Sequence, residues 1–230
     1  MRSGLRGAVK LGLTLVCFHL ACLPKDAAAA GPEVDVAIVF LVDMSDSMDH
    51  TERRILRDSH ADAVASETVL KAIDDGEFGR VALAYVEFGT RPIVRVSWEI
   101  VDGKESAESF RASIRAAPMI NLGFTGIGSA LEAARVLFAY CPCRPTKRVV
   151  DVAADGKNNN TPSVYFTRRS LLDMGAAING LPIEINPWDP DITAYFADNI
   201  IGGPAAFNLP VTGMGQLPER LRQKIVLDLY

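Results

Sequence analysis

Residues 43–47 read Asp-Met-Ser-Asp-Ser and follow a run of apolar, largely β-branched residues at 35–42. Asp43, Ser45 and Ser47 alternate along the chain. In an extended turn, alternate side chains converge, so three oxygens can face one point and hold a cation there. Two further oxygen-bearing residues occupy comparable places. Thr125 lies in a loop before a helical segment, and Asp155 ends a second apolar run, 148–154. If the two runs are neighbouring strands, Asp43 and Asp155 face each other, and a cation between them removes their repulsion. Two carboxylates and three hydroxyls are hard donors that suit Mg²⁺, Mn²⁺ or Ca²⁺ and not zinc, with Mg²⁺ the first choice. Few anionic ligands leave the ion electrophilic, and an open position would draw a carboxylate from outside. That is the chemistry of adhesion rather than hydrolysis.

Other readings start from the same segment. Asp46, Ser47 or Asp49 could cap a helix, which explains one residue but not the spacing. A phosphatase of the haloacid-dehalogenase type needs an acid two residues after its nucleophile, where Ser45 stands. An EF-hand counted from Asp43 has Met48 and Arg54 where it needs glycine and glutamate. A metal-dependent, phosphatase-like hydrolase on the same edge is the alternative function. It needs a general base, and Asp46 and Asp49 are the spare acids nearby. A scaffold that holds no ion is a third reading. Gly126-Ile127-Gly128 lacks the third glycine of a dinucleotide loop, since Leu131 stands there, and reads as relief of crowding where a loop meets a helix.

The elements that must position these residues follow from hydrophobic spacing. The run 35–42 is a strand buried on both faces, as in a parallel sheet. Strands are also expected at 81–88, 93–100, 148–154, 181–185 and 205–211, and helices at 50–74, 106–117, 129–140, 163–176, 192–200 and 217–229. The connection 89–92 is short enough to make its two strands antiparallel neighbours. Alternation of strands and helices gives an α/β fold: a doubly wound, mostly parallel sheet with one antiparallel edge strand and helices on both faces. Ligands of such sheets gather outside the strands' carboxyl ends, where strand order reverses. Asp151, inside a strand, reads as a hydrogen-bonded acid away from that edge. Trp98 reads as edge packing, 158–160 as a polar asparagine turn, and His50 and His60 as solvated helix residues.

Residues 1–30 read as a signal peptide, with residues 31–230 as one domain. Arg2, Arg6 and Lys10 precede an apolar run of residues 11–23, and Ala27 to Gly31 supply small residues for cleavage. The apolar run is short of the roughly 20 residues a membrane span requires. An uncut anchor, or lipid attachment at Cys22 despite His19, are the other readings of this leader. The chain holds 24 Lys+Arg and 28 Asp+Glu, a net charge of −4. Loss of the leader, which carries four basic residues and one acidic one, brings the remainder near −7. That argues against a nucleic-acid binder. With no membrane span after signal removal, the expected location is exported, periplasmic or secreted. There Cys141-Pro142-Cys143 forms a local disulfide or carries two idle thiols, with zinc a weaker reading.

Taken together, Asp43-Met-Ser-Asp-Ser47, Thr125 before Gly126, and Asp155-Gly156 resemble the von Willebrand factor type A (integrin I-like) domain. Within that group the chain is similar to an exported bacterial family of unknown function of the DUF1194 type. Residues 81–88, 148–159, 179–183 and 201–204 carry that likeness. The resemblance covers nearly all of residues 34–230. It implies a metal-ion-dependent adhesion site (MIDAS) and no catalysis. Ser45, Ser47 and Thr125 would contact the ion directly, Asp43 and Asp155 often through water, and a protein partner's acidic residue would complete the shell.

Overall fold

The computed structural model describes residues 31–230; the expected signal peptide, residues 1–30, lies outside the described residues. The order is β1 (Glu33–Asp43), α1 (His50–Val64), α2 (Glu67–Asp74), β2 (Val81–Phe88), β3 (Ile93–Val101), α3 (Lys104–Ala116), α4 (Ile127–Ala139), β4 (Arg144–Ala154), α5 (Val164–Asp173) and β5 (Ala177–Pro182). Then come α6 (Ile192–Tyr195), a π-helical turn at Phe196–Ile200, and α7 (Leu217–Leu229). The sheet runs β3-β2-β1-β4-β5. β1 is parallel to β2 and β4, β4 is parallel to β5, and β3 is antiparallel to β2. The expected fold class is what the chain adopts.

β1 is central and buried on both faces. Val36, Ile38, Phe40 and Val42 face the layer of α1, α2, α3 and α7. Ala37, Val39 and Leu41 face the layer of α4, α5 and α6. Full burial of an aliphatic side chain of this size contributes about 1.5–3 kcal/mol, so the strand bearing Asp43 is firmly anchored. β4 lies beside it, with Val42 in register with Ala153. The carboxyl ends of β1 and β4 therefore form one edge, and strand order reverses there.

Several expectations need correction. The helix at 50–74 is two helices: α1 ends before Ala65, and Ser66 caps α2, its Oγ accepting from Val69 N at 3.4 Å. β5 begins at Ala177 instead of 181, and β4 at Arg144 instead of 148. Residues 205–211 form no regular strand. Among the described residues this stretch makes only isolated bridges along β5, Gly180 with Asn208 and Ile183 with Val211. Pro204 and Pro210 cannot donate to a ladder, and Gly203 and Ala205 have φ of 93° and 54°, outside the β region.

His60 is buried rather than solvated. Its Nδ1 lies 2.9 Å from Leu56 O, and its ring sits between Phe40 and Tyr85 at 5.9 Å from each. His50 is exposed. Asp151 is buried in mid-strand and paired with Lys224 of α7 at 2.8 Å. A second buried ionic group joins Glu87 of β2 to Arg57 at 2.6 Å and Arg95 at 2.7 Å. Trp98 packs at the sheet edge as expected, its Nε1 donating to Leu137 O at 2.9 Å. Cys141 and Cys143 are joined as a disulfide, so neither is an idle thiol. No helix among the described residues is long and apolar enough to cross a membrane.

Candidate metal centre

Beyond β1 the chain stays tied to its neighbours. Met44 N donates to Phe88 O at 2.8 Å, Leu122 N to Met44 O at 2.9 Å, and Asp46 N to Gly123 O at 2.8 Å. Asp49 caps α1: its Oδ1 accepts from Thr51 N and Glu52 N, and Glu52 Oε2 accepts from Asp49 N. Of the three cap candidates the role therefore falls on Asp49, not on Asp46 or Ser47.

The five oxygen-bearing side chains singled out by spacing come together at this edge. Ser45 N donates to Asp43 Oδ1 at 2.8 Å. Thr125 Oγ1 donates to Ser45 Oγ at 3.2 Å, and Ser45 Oγ lies 3.0 Å from Ser47 Oγ. Ser47 Oγ donates to Asp155 Oδ1 at 2.6 Å. The hydroxyls thus form a continuous chain ending on Asp155, with Asp43 fixing the turn beside it. Asp43, Ser45, Thr125 and Asp155 are buried, whereas Ser47 is exposed. Neither Asp43 Oδ2 nor Asp155 Oδ2 has a hydrogen-bond partner within the protein, though both are buried.

Burial first, and the charge of Asp155 second, push the Asp43 carboxyl up to about 8. Burial likewise pushes Asp155 up to about 6, against the hydrogen bond from Ser47. Two such carboxylates are costly to ionise together without a positive charge between them. Arg53 is the nearby cation. Its Nη1 donates to Ser45 O at 3.0 Å and also to Met48 O, so it braces the turn's backbone.

The asparagine turn does more than reverse the chain. Asn159 Oδ1 accepts from Thr125 N at 2.8 Å while Asn159 N donates to Thr125 O at 3.0 Å. Asn158 Oδ1 accepts from Gly128 N at 3.0 Å, and Asn160 Nδ2 donates to Thr90 O at 2.9 Å. The β4–α5 loop is thereby stapled to the loops that carry Thr125 and Thr90. From the sequence these residues read as a polar turn beside the site, with shaping of a partner surface the other reading; the staples were hidden because their partners lie far away in the chain. Sequence reasoning also missed Asp189, whose Oδ2 accepts from Lys157 N at 2.9 Å beside Gly156. No motif marks that residue.

Gly126 and Gly128 relieve crowding as expected. A Cβ at Gly128 would come within 2.0 Å of Pro162 O, and one at Gly126 within 2.4 Å of Gly89 O. Backbone on both sides leaves no easy escape, so Gly128→Ala is expected to cost about 1–3 kcal/mol. Urea unfolding checks this; a change within a few tenths of a kcal/mol would contradict the close approach.

This is the von Willebrand factor type A fold, and solved structures bear out the likeness. Proximal thread matrix protein 1 from the mussel byssus matches with a TM-score of 0.64 at 17% identity, over 86% of this chain and 47% of that one. Another structure of the same mussel protein has a zinc-occupied MIDAS motif. A von Willebrand factor type A protein from Catenulispora acidiphila matches at 0.61 and 18% identity, over 85% of this chain and 43% of that one. The vWF domain of the type V pili tip protein Mfa5 from Porphyromonas gingivalis matches at 0.62 and 11% identity, over 86% and 97%. The chain thus spans less than half of the mussel and Catenulispora chains and nearly all of the Mfa5 domain. No curated protein matches it by sequence. Residues 33–230 match the family described as "Protein of unknown function (DUF1194)", and the chain belongs to that family.

Proposed function

We propose that this is an exported, non-catalytic domain that holds a divalent cation at a MIDAS and binds a protein through it. The residues that would hold the ion are Asp43, Ser45, Ser47, Thr125 and Asp155. One observation carries the reading: a chain of three hydroxyls that ends on the buried Asp155 carboxylate, with the buried Asp43 carboxylate holding the Ser45 backbone beside it, and one oxygen of each carboxylate left unpartnered. Such a donor set fits a hard dication. Bound there, the ion would offset the paired carboxylates and present a coordination position to a partner's acidic side chain. Mg²⁺ is the first choice, with Mn²⁺ and Ca²⁺ next. The mussel protein's zinc adds that ion to the set worth testing.

The hydrolase reading has less support. Asp49 is committed to its capping box and His60 is buried among aromatic rings. The pili tip protein among the structural neighbours favours an adhesive role and an exported location.

Thermal unfolding with each of Mg²⁺, Mn²⁺, Ca²⁺ and Zn²⁺ tests the site. Free metal at 100 times its dissociation constant stabilises by about 2.7 kcal/mol. Ser45→Ala with Thr125→Ala is expected to remove that gain while the metal-free protein still unfolds cooperatively. The unsubstituted protein responding to none of the four ions would overturn the proposal.

A further inference from the structure

The most concentrated chemistry outside the metal centre lies beneath α7. Lys224 and Asp228 of α7, Asp151 of β4 and Asn179 of β5 are all buried, the first two completely. Lys224 Nζ donates to Asp228 Oδ2 at 3.1 Å and to Oδ1 at 3.4 Å. Asn179 Nδ2 donates to Asp228 Oδ1 at 2.6 Å. Nζ stands closer still to Asp151, 2.8 Å from Oδ1. Yet neither Asp151 oxygen is in a hydrogen bond. The nitrogen therefore lies against that carboxyl group outside the hydrogen-bonding directions, while its hydrogen bonds go to Asp228. The Phe207 ring centroid is 5.2 Å from Nζ. From α1, His60 adds a neutral ring, and Lys147 of β4 donates to the backbone oxygen of Asp228 at 3.1 Å.

We propose that the folded chain closes an amide bond between Lys224 Nζ and Asp151 Cγ, with Asp228 as the proton carrier. In water an ammonium and a carboxylate form a hydrated ion pair and do not condense. Here the nucleophile and its carboxyl group are held in contact, and water is excluded. Burial opposes the Lys224 ammonium, and the charges of Asp151 and Asp228 outweigh it and hold its pKa above the usual value, so the proton leaves only when a carboxylate in contact takes it. Asp228 accepts a proton from the Lys224 ammonium, and the freed amine attacks Asp151 Cγ. The C–N bond forms, a Cγ–O bond breaks, and that oxygen leaves as water with two protons that began on the amine. Asp228 relays them and ends as it started. One positive and one negative charge become a neutral amide, and no oxidant or reductant takes part. Burial first holds the Asp228 carboxyl up at about 7, against the pull of Lys224, so near neutral pH it can both take and give a proton. The product ties α7 covalently to a strand next to the centre of the sheet.

A tryptic digest of the purified full chain, read by mass spectrometry, decides the matter. The expected result is one species joining the peptide that bears Asp151 to the peptide that bears Lys224, lighter than the two together by one water. Trypsin no longer cuts after Lys224 in that species. Asp228→Asn, which keeps both reacting side chains, is expected to slow closure about 100-fold or more, with circular dichroism confirming the fold. The unsubstituted digest decides even if that variant fails to fold. Two separate peptides of unmodified mass would overturn the proposal. So would water loss confined to the α7 peptide, which assigns the bond to Asp228. Loss of ammonia with Asn179 in the linked peptide would overturn it too.

Discussion

Glu87→Ala is expected to cost about 3–5 kcal/mol, the effect of leaving a buried charge without its partner. Glu87 is fully buried and receives Arg57 Nε at 2.7 Å and Arg95 Nε at 2.7 Å. Removing the carboxylate strands two guanidinium groups that have little water to turn to. The same arginines reach the chain after α3: Arg57 Nη1 donates to Ala117 O at 2.7 Å, and Arg95 Nη2 to Pro118 O at 3.3 Å. That chain leads on to Thr125, so the ionic group braces the approach to the candidate metal centre. Urea unfolding measures the loss as a lower midpoint at an unchanged slope. A loss below about 1 kcal/mol would place the triad with surface pairs, which contribute little. Replacing all three residues with apolar side chains of similar volume is expected to recover most of the loss, because desolvating the ions offsets much of their attraction.

His60 is expected to make stability depend on pH by about 3 kcal/mol between pH 7 and pH 4. Burial lowers its folded-state pKa from 6.5 to about 4. Between those values the unfolded chain binds the proton and the folded chain does not. The contribution is therefore complete above pH 6.5 and is lost as pH falls toward 4. Asp43 and Asp228, held up at about 8 and 7, act in the opposite sense across that whole range, and Asp155, held up at about 6, over its lower part. The quantity to measure is thus the difference between the wild type and His60→Phe, which keeps an aromatic ring between Phe40 and Tyr85 and removes the titrating group. That difference should move by about 3 kcal/mol in favour of the variant as pH drops from 7 to 4. A difference independent of pH would contradict the buried neutral histidine.

The framework of the candidate site was legible because its signals are local. An apolar run of strand length with β-branched residues reads as a strand covered on both sides, and that puts Asp43 at a sheet edge. The short 89–92 connection dictates antiparallel pairing of β2 and β3. Features that depend on distant partners were hidden. Lys224 looks like an ordinary polar position on α7 until Asp151 appears opposite it. The strand expected at 181–185 is observed at Ala177–Pro182, so Asn179 and Gly180 fall inside it. Gly180 pairs with Val152 of β4, and glycine suits the position because Phe196 and Asn208 press where a side chain would be, a Cβ there lying 2.3 Å from Asn208 Oδ1. The break at Ala65 was masked by Val69, Leu70 and Ile73, which continue the helical period into α2.

The irregular segment beside β5 bears on self-association. Phe207 O accepts from Gly180 N at 2.9 Å, and Leu209 N and Val211 N donate to Gly180 O and Pro182 O at 2.9 Å each. Those β5 groups have no bond left to offer a foreign strand. At the opposite margin, β3 departs from regular register near Tyr85, and such irregularities twist an edge away from flat docking. Fibre-like growth by backbone pairing between copies is disfavoured at both margins.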